Sequence, residues 1–171
     1  MPTYTQIGTA QVAGVLGATA LTFTSIPSTY TDLVLKTSLR GTGALIYDTI
    51  KVTFNGSTTG YSTRYLQGSG SAASSGVSGS STYIELIDEG ATATASTFSN
   101  GEFYIPNYAG SSNKSLSSDA VTETNATTIY MRLSAGLWSN SAAITSITLT
   151  PDASAAWAQY SSAYLYGVSN A

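Results

Sequence analysis

The chain has 171 residues, a net charge of −3 and a pI near 4.6, with 42% hydrophobic but only 9% charged residues. That length and apolar content suit one folded domain with its own core and exclude a disordered polypeptide. Six scattered basic residues cannot neutralise a run of phosphates, and the absence of Cys and His excludes disulfides, thiol catalysis and the commonest zinc ligands and general base.

Ser and Thr fill the place of charge, and 12 Tyr join abundant Thr, Val and Ile, the residues favoured in strands. Residues 1–17 alternate weakly between glycines and are expected to form an N-terminal arm or a short edge strand ahead of a single domain over residues 18–171. Met1 to Gln11 carries no Lys or Arg, so no secretory signal is expected there. No window approaches the 18 apolar residues of a membrane helix, and neither membrane nor nucleic acid is an expected partner.

The stretch Ala20 to Arg40 sets the pattern. Leu21 and Phe23 alternate with Thr22 and Thr24, and Leu33, Leu35 and Leu39 alternate with Asp32, Lys36, Ser38 and Arg40. Each half predicts a strand with one oily and one wet face, and Pro27 belongs in the connection between them. Ile50, Val52 and Phe54 repeat the alternation up to Asn55-Gly56, a turn signal that predicts Gly60 to Leu66 returning antiparallel. Gln67 to Ser81 is low in complexity and reads as an exposed flexible loop.

Further strands are expected at Thr82 to Ile87, Phe98 to Ile105, Ser115 to Val121, Thr127 to Trp138, Ile144 to Thr150 and Tyr160 to Val168. In Thr127 to Trp138, Ile129, Met131, Leu133 and Leu137 share one parity, while Tyr130, Arg132 and Ser134 share the other. Ser154 to Gln159 is the nearest approach to a helical turn and is too short to count. Eight to ten short strands separated by turn chemistry predict an all-β fold, an antiparallel β-sandwich or barrel.

Catalytic patterns are weak. Lys114-Ser115 is the nearest thing to a Ser–Lys pair, but neighbours on a strand point to opposite faces. Gly68 to Ala73 matches G-x-G-x-x-A without the helix that the phosphate mechanism requires. Most of the nine acids sit at expected strand ends or wet faces. Asp88-Glu89 reads as a solvated turn rather than a calcium loop, and Glu85 as the ion-pair partner of Arg64. No enzyme activity, metal or cofactor is therefore expected. Tyr108, Trp138 and Trp157 are candidate partner- or glycan-contact aromatics, with a place in the core or its rim as the alternative.

The strings LTFTSIPSTYTDLVLKTSLRGT, IKVTFNGSTTGYSTRYLQGSGSAASSG, SAGLWSNSAAITSITLTPD and AQYSSAYLYGV span Ala20 to Val168. Together they resemble a recurring group of small all-β virion proteins of tailed bacteriophages. The resemblance implies a jelly-roll-like sandwich on the phage particle, and it carries no catalytic residue. It also implies a capsid cement or decoration protein, commonly a homotrimer, bound to the major capsid protein or other virion proteins and assembled in the host cytoplasm. A tail-associated module that binds a receptor or surface glycan is the alternative. The group's tip proteins have a long fibrous region ahead of the tip, and no counterpart precedes Ala20 in this sequence.

Overall fold

A computed structural model describes residues 1–12, 14–78, 82–123, 125, 130–152 and 156–170. Among them there are twelve strands and no helix. The strands are β1 (Thr3–Gln11), β2 (Leu21–Phe23), β3 (Asp32–Leu39), β4 (Tyr47–Phe54), β5 (Tyr61–Gly68) and β6 (Ala73–Ser78), followed by β7 (Ile84–Glu89), β8 (Ser99–Ile105), β9 (Lys114–Thr122), β10 (Tyr130–Trp138), β11 (Ile147–Pro151) and β12 (Ser162–Ser169). Two antiparallel sheets form a sandwich. One has eight strands in the order β1-β12-β3-β8-β9-β10-β5-β6, and the other has four in the order β2-β11-β4-β7.

The order within the sheets is that of a jelly roll with additions. The strands β2-β11-β4-β7 face β3-β8 and β5-β6, and the hairpin β9–β10 is inserted between β8 and β5. Beyond β3, the strands β12 and β1 extend the larger sheet. The insertion and the extension make one sheet twice as wide as the other. Part of the larger sheet's surface is therefore built from strands that an eight-strand jelly roll does not need.

The core lies between the sheets. Leu21 and Phe23 of β2 and Ile50, Val52 and Phe54 of β4 meet Leu33, Leu35 and Leu39 of β3 and Phe103 and Ile105 of β8, all buried. Each such side chain contributes about 1.5–3 kcal/mol relative to staying in water. The two halves of Ala20 to Arg40 thus end up in opposite sheets, joined over the sandwich's edge through Pro27.

Two expectations about connections are corrected. Asn55 and Gly56 do form a left-handed turn, with φ of 53° and 67°. Yet β5 does not return against β4, because the turn carries the chain across to the other sheet, where β5 pairs with β10 and β6. Asn55 holds this crossing: its Oδ1 accepts from the backbone N–H groups of Thr145 (2.8 Å) and Ser146 (3.1 Å), and its Nδ2 donates to the Ala143 carbonyl (2.7 Å). The Tyr61 hydroxyl braces it from the far side, accepting from the Phe54 N–H at 2.8 Å.

The Gln67 to Ser81 stretch is not a loop throughout. Ala73–Ser78 is β6, paired with β5 from Thr63↔Ser78 to Gly68↔Ala73. The Ser-rich segment gains strand structure from a neighbour's ladder rather than from its own apolar content, which is why composition hides it. Residues 79–81 of that stretch, 127–129 of the expected strand before β10, and Ser154 and Ala155 of the expected short turn lie outside the described residues. Residues 1–17 supply β1, an edge strand on β12 with a bulge between Gln6 and Gly8. With these two strands the total is twelve among the described residues, above the eight to ten expected.

Candidate functional site

Tyr108, Trp138 and Trp157 are core residues, each at most 1% exposed, so none presents a ring to a partner or a glycan. Trp138 stacks on Tyr61 at 6.1 Å and tilts against Phe54 at 5.7 Å. The Trp157 indole N–H donates to the Leu149 carbonyl at 3.2 Å, and the Tyr108 hydroxyl donates to the Pro27 carbonyl. A buried Tyr or Trp needs a partner for its polar end, and both have one.

The polar groups with unusual surroundings are structural as well. Lys114 and Ser115 point to opposite faces. The Lys114 ammonium lies buried against the carbonyls of Gly110 (2.7 Å), Ser112 and Ser141 (3.3 Å), and burial lowers its pKa. Arg40 clasps the segment before β8: its guanidinium donates to the carbonyls of Thr94 and Thr97 (both 2.8 Å), Ala93 (3.0 Å) and Ala91 (3.1 Å).

The acids depart from expectation. Asp88 and Glu89 are not a solvated turn but the buried end of β7, and Asp48 lies across from Asp88 on β4. Asp48 and Asp88 close over Gly41, where a Cβ would stand 3.1 Å from Asp48 Oδ2 and 3.5 Å from Asp88 Oδ2. Burial, then the Asp48 and Glu89 carboxylates, push the Asp88 pKa well above the usual carboxylate range. Burial also raises Glu89, opposed by the Arg40 charge and the Thr97 hydroxyl. A raised pKa in a carboxylate pair is a mark of an acid catalyst only where substrate can reach it. Asp88 is fully buried and meets no solvent. Among the described residues, no group of three or more acids could hold a metal ion.

Glu85 does not pair with Arg64. It pairs with Arg132, whose Nη1 lies 3.3 Å from Glu85 Oε1 and whose Nε and Nη2 donate to Gln67 Oε1 at 3.0 and 2.8 Å. The guanidinium sits 4.2 Å from the centre of the Tyr65 ring. Arg132 is only 7% exposed, so the polar parity of β10 faces inward, with Ser134, Gly136 and Trp138 beside it. Gly136 is required there, since a Cβ would meet Ile84 of the facing sheet at 2.7 Å.

The oily parity of β10 consequently faces water. Met131 (64%), Leu133 (59%) and Leu137 (36%) are exposed in a line, flanked by Leu66 of β5, Val121 of β9 and Val77 of β6. A groove of about 370 Å³ runs beside them, lined by Leu66, Val121, Met131 and Leu133 among others. The other half of the same outer surface is mixed: Lys36 and Glu102 form a 2.9 Å salt bridge there, amid Asn100, Ser38 and the exposed tyrosines Tyr4 and Tyr104. The smaller sheet's outward side chains include Thr22, Thr53, Thr148 and Thr150. Soluble monomers rarely leave a contiguous apolar patch uncovered, and such a patch marks a contact surface. It falls on the inserted hairpin and the two strands beyond it. Parity alone reveals the strand but not this outcome; the one signal in the sequence is Arg132 and Trp138 sharing a face.

Comparison with protein-family models, with curated proteins and with solved structures found no match.

Proposed function

We propose that this chain is a structural protein of a tailed-phage virion, a cement or decoration protein that binds the head as an oligomer. The observation that carries the proposal is the apolar strip along β10, Met131, Leu133 and Leu137, open to water on an otherwise hydroxyl-rich sandwich. Burying it against other protein removes the cost of exposure, and many weak copies on one shell add by mass action. The resemblance of the strings between Ala20 and Val168 supplies the virion setting. The inward placement of Tyr108, Trp138 and Trp157 takes away the rings on which the tail-module reading would stack a sugar. The test adds the purified protein to heads that lack it, followed by sedimentation and imaging. Saturable head binding, lost with Leu133→Asp, is expected; density confined to the tail of intact particles would overturn the head assignment.

A further inference from the structure

We infer that the outer face of β9, β10, β5 and β6 is a two-fold interface with a second copy of this chain, joined by reciprocal Arg64–Asp119 ion pairs. The inference rests on the reading of the chain as an assembly protein and names the partner that this face takes.

Register places the charges. Leu133 of β10 lies between Asp119 of β9 and Leu66 of β5, and Ala135 lies between Ser117 and Arg64. Arg64 and Asp119 are therefore diagonal neighbours across β10, two strand spacings apart in one direction and two residues in the other. That is a separation of about 12 Å on an ideal sheet, too far for contact. Both are exposed, and neither belongs to a salt bridge among the described residues. The carboxylate opposite Asp119 on β8, Glu102, is already held by Lys36.

A face whose described residues include a free cation and a free anion placed diagonally about an apolar centre is complementary to itself. A two-fold contact is reciprocal: whatever residue i meets on the partner, that residue's counterpart meets i in return. A two-fold axis lying in the interface and crossing β10 between Leu133 and Ala135 sets Arg64 over the partner's Asp119, and Asp119 over the partner's Arg64. The same rotation lays Leu66 over the partner's Leu133, so apolar meets apolar while the charges pair at the flanks. Four strands about 4.8 Å apart and eight residues long give about 500 Å² in plan. Side-chain relief brings the accessible area towards the ~800 Å² per partner of a standard interface. A dimer on this face differs from the trimer that the resemblance implies.

The experiment measures the mass of the full chain by light scattering over about 1–100 μM, the range where a modest interface of this size associates. A dimer is expected. Leu133→Asp should raise its dissociation constant about tenfold or more. Because Leu133 is exposed, the strand circular-dichroism spectrum should stay unchanged. Arg64→Asp and Asp119→Arg should each weaken the dimer, and the doubly exchanged chain should restore it, because both pairs re-form with reversed sign. A monomer at the top concentration, a trimer, or a double exchange that fails to restore association overturns the inference. Sedimentation with heads separates the two readings. A monomer that binds heads ends the dimer and leaves the virion role standing, while a dimer that ignores every particle does the reverse.

Discussion

Replacing Arg132 by Met is the sharpest perturbation of the fold. Arg132 is 7% exposed, spends three N–H groups on Gln67 and Glu85, and covers the Tyr65 ring. Met keeps much of the apolar stem but leaves Glu85 without its cation. Removing one partner of a buried pair costs about 3–5 kcal/mol, because the remaining charge stays desolvated. The Glu85 side chain keeps 23% exposure, so water recovers part of that loss and about 3 kcal/mol is expected. For a chain of this size that lowers the melting temperature by about 6–12 °C, at roughly 2–4 °C per kcal/mol. Urea titration followed by Trp fluorescence suits the measurement, since Trp138 lies on the same strand. Adding Glu85→Gln to Arg132→Met removes the stranded charge and should recover about 1 kcal/mol or more, a clear departure from additivity. Arg132→Met within about 0.5 kcal/mol of the parent would mean that this face of β10 is not buried, and would refute the inverted strand.

Trp138→Ala should cost about 3–5 kcal/mol in the same titration, whereas Tyr160→Ala at an exposed ring should stay within about 0.5 kcal/mol. Asp88→Asn should flatten the dependence of stability on pH. With its folded pKa raised, Asp88 holds a proton that the unfolded chain has released, so its contribution is full below about pH 4 and is lost as pH climbs towards the folded value. The urea midpoint of the parent should therefore fall over that window more than the variant's; equal slopes would place the carboxylate in water. Gly167→Ala should destabilise by about 1–3 kcal/mol, since its Cβ would land 2.3 Å from the Tyr30 ring. Unchanged stability there would mean that Tyr30 does not pack on β12.

The aromatics show how residue type underdetermines a site. Trp and Tyr serve cores and interfaces alike, and Tyr108, Trp138 and Trp157 became core only when β4, β11 and the Pro27 connection closed around them. Asp88 and Glu89 look like turn acids because Gly90 follows them. They are buried because residues 40 and 41 pair and pack against the end of β7, a contact nearly fifty residues away in the chain.

Alternation and turn chemistry were sufficient to define the strands other than β6, their polar and apolar parities and an all-β sandwich, because those depend on neighbours one and two residues apart. They were not sufficient to decide which parity of β10 meets the core. A strand has two faces of equal geometric standing, and the choice between them is made by the facing sheet. Here Ile84 leaves room only for Gly136, Glu85 and Gln67 receive Arg132, and Phe54 with Tyr61 receives Trp138. Those contacts turn Met131, Leu133 and Leu137 outward, and only the tertiary structure could make that choice.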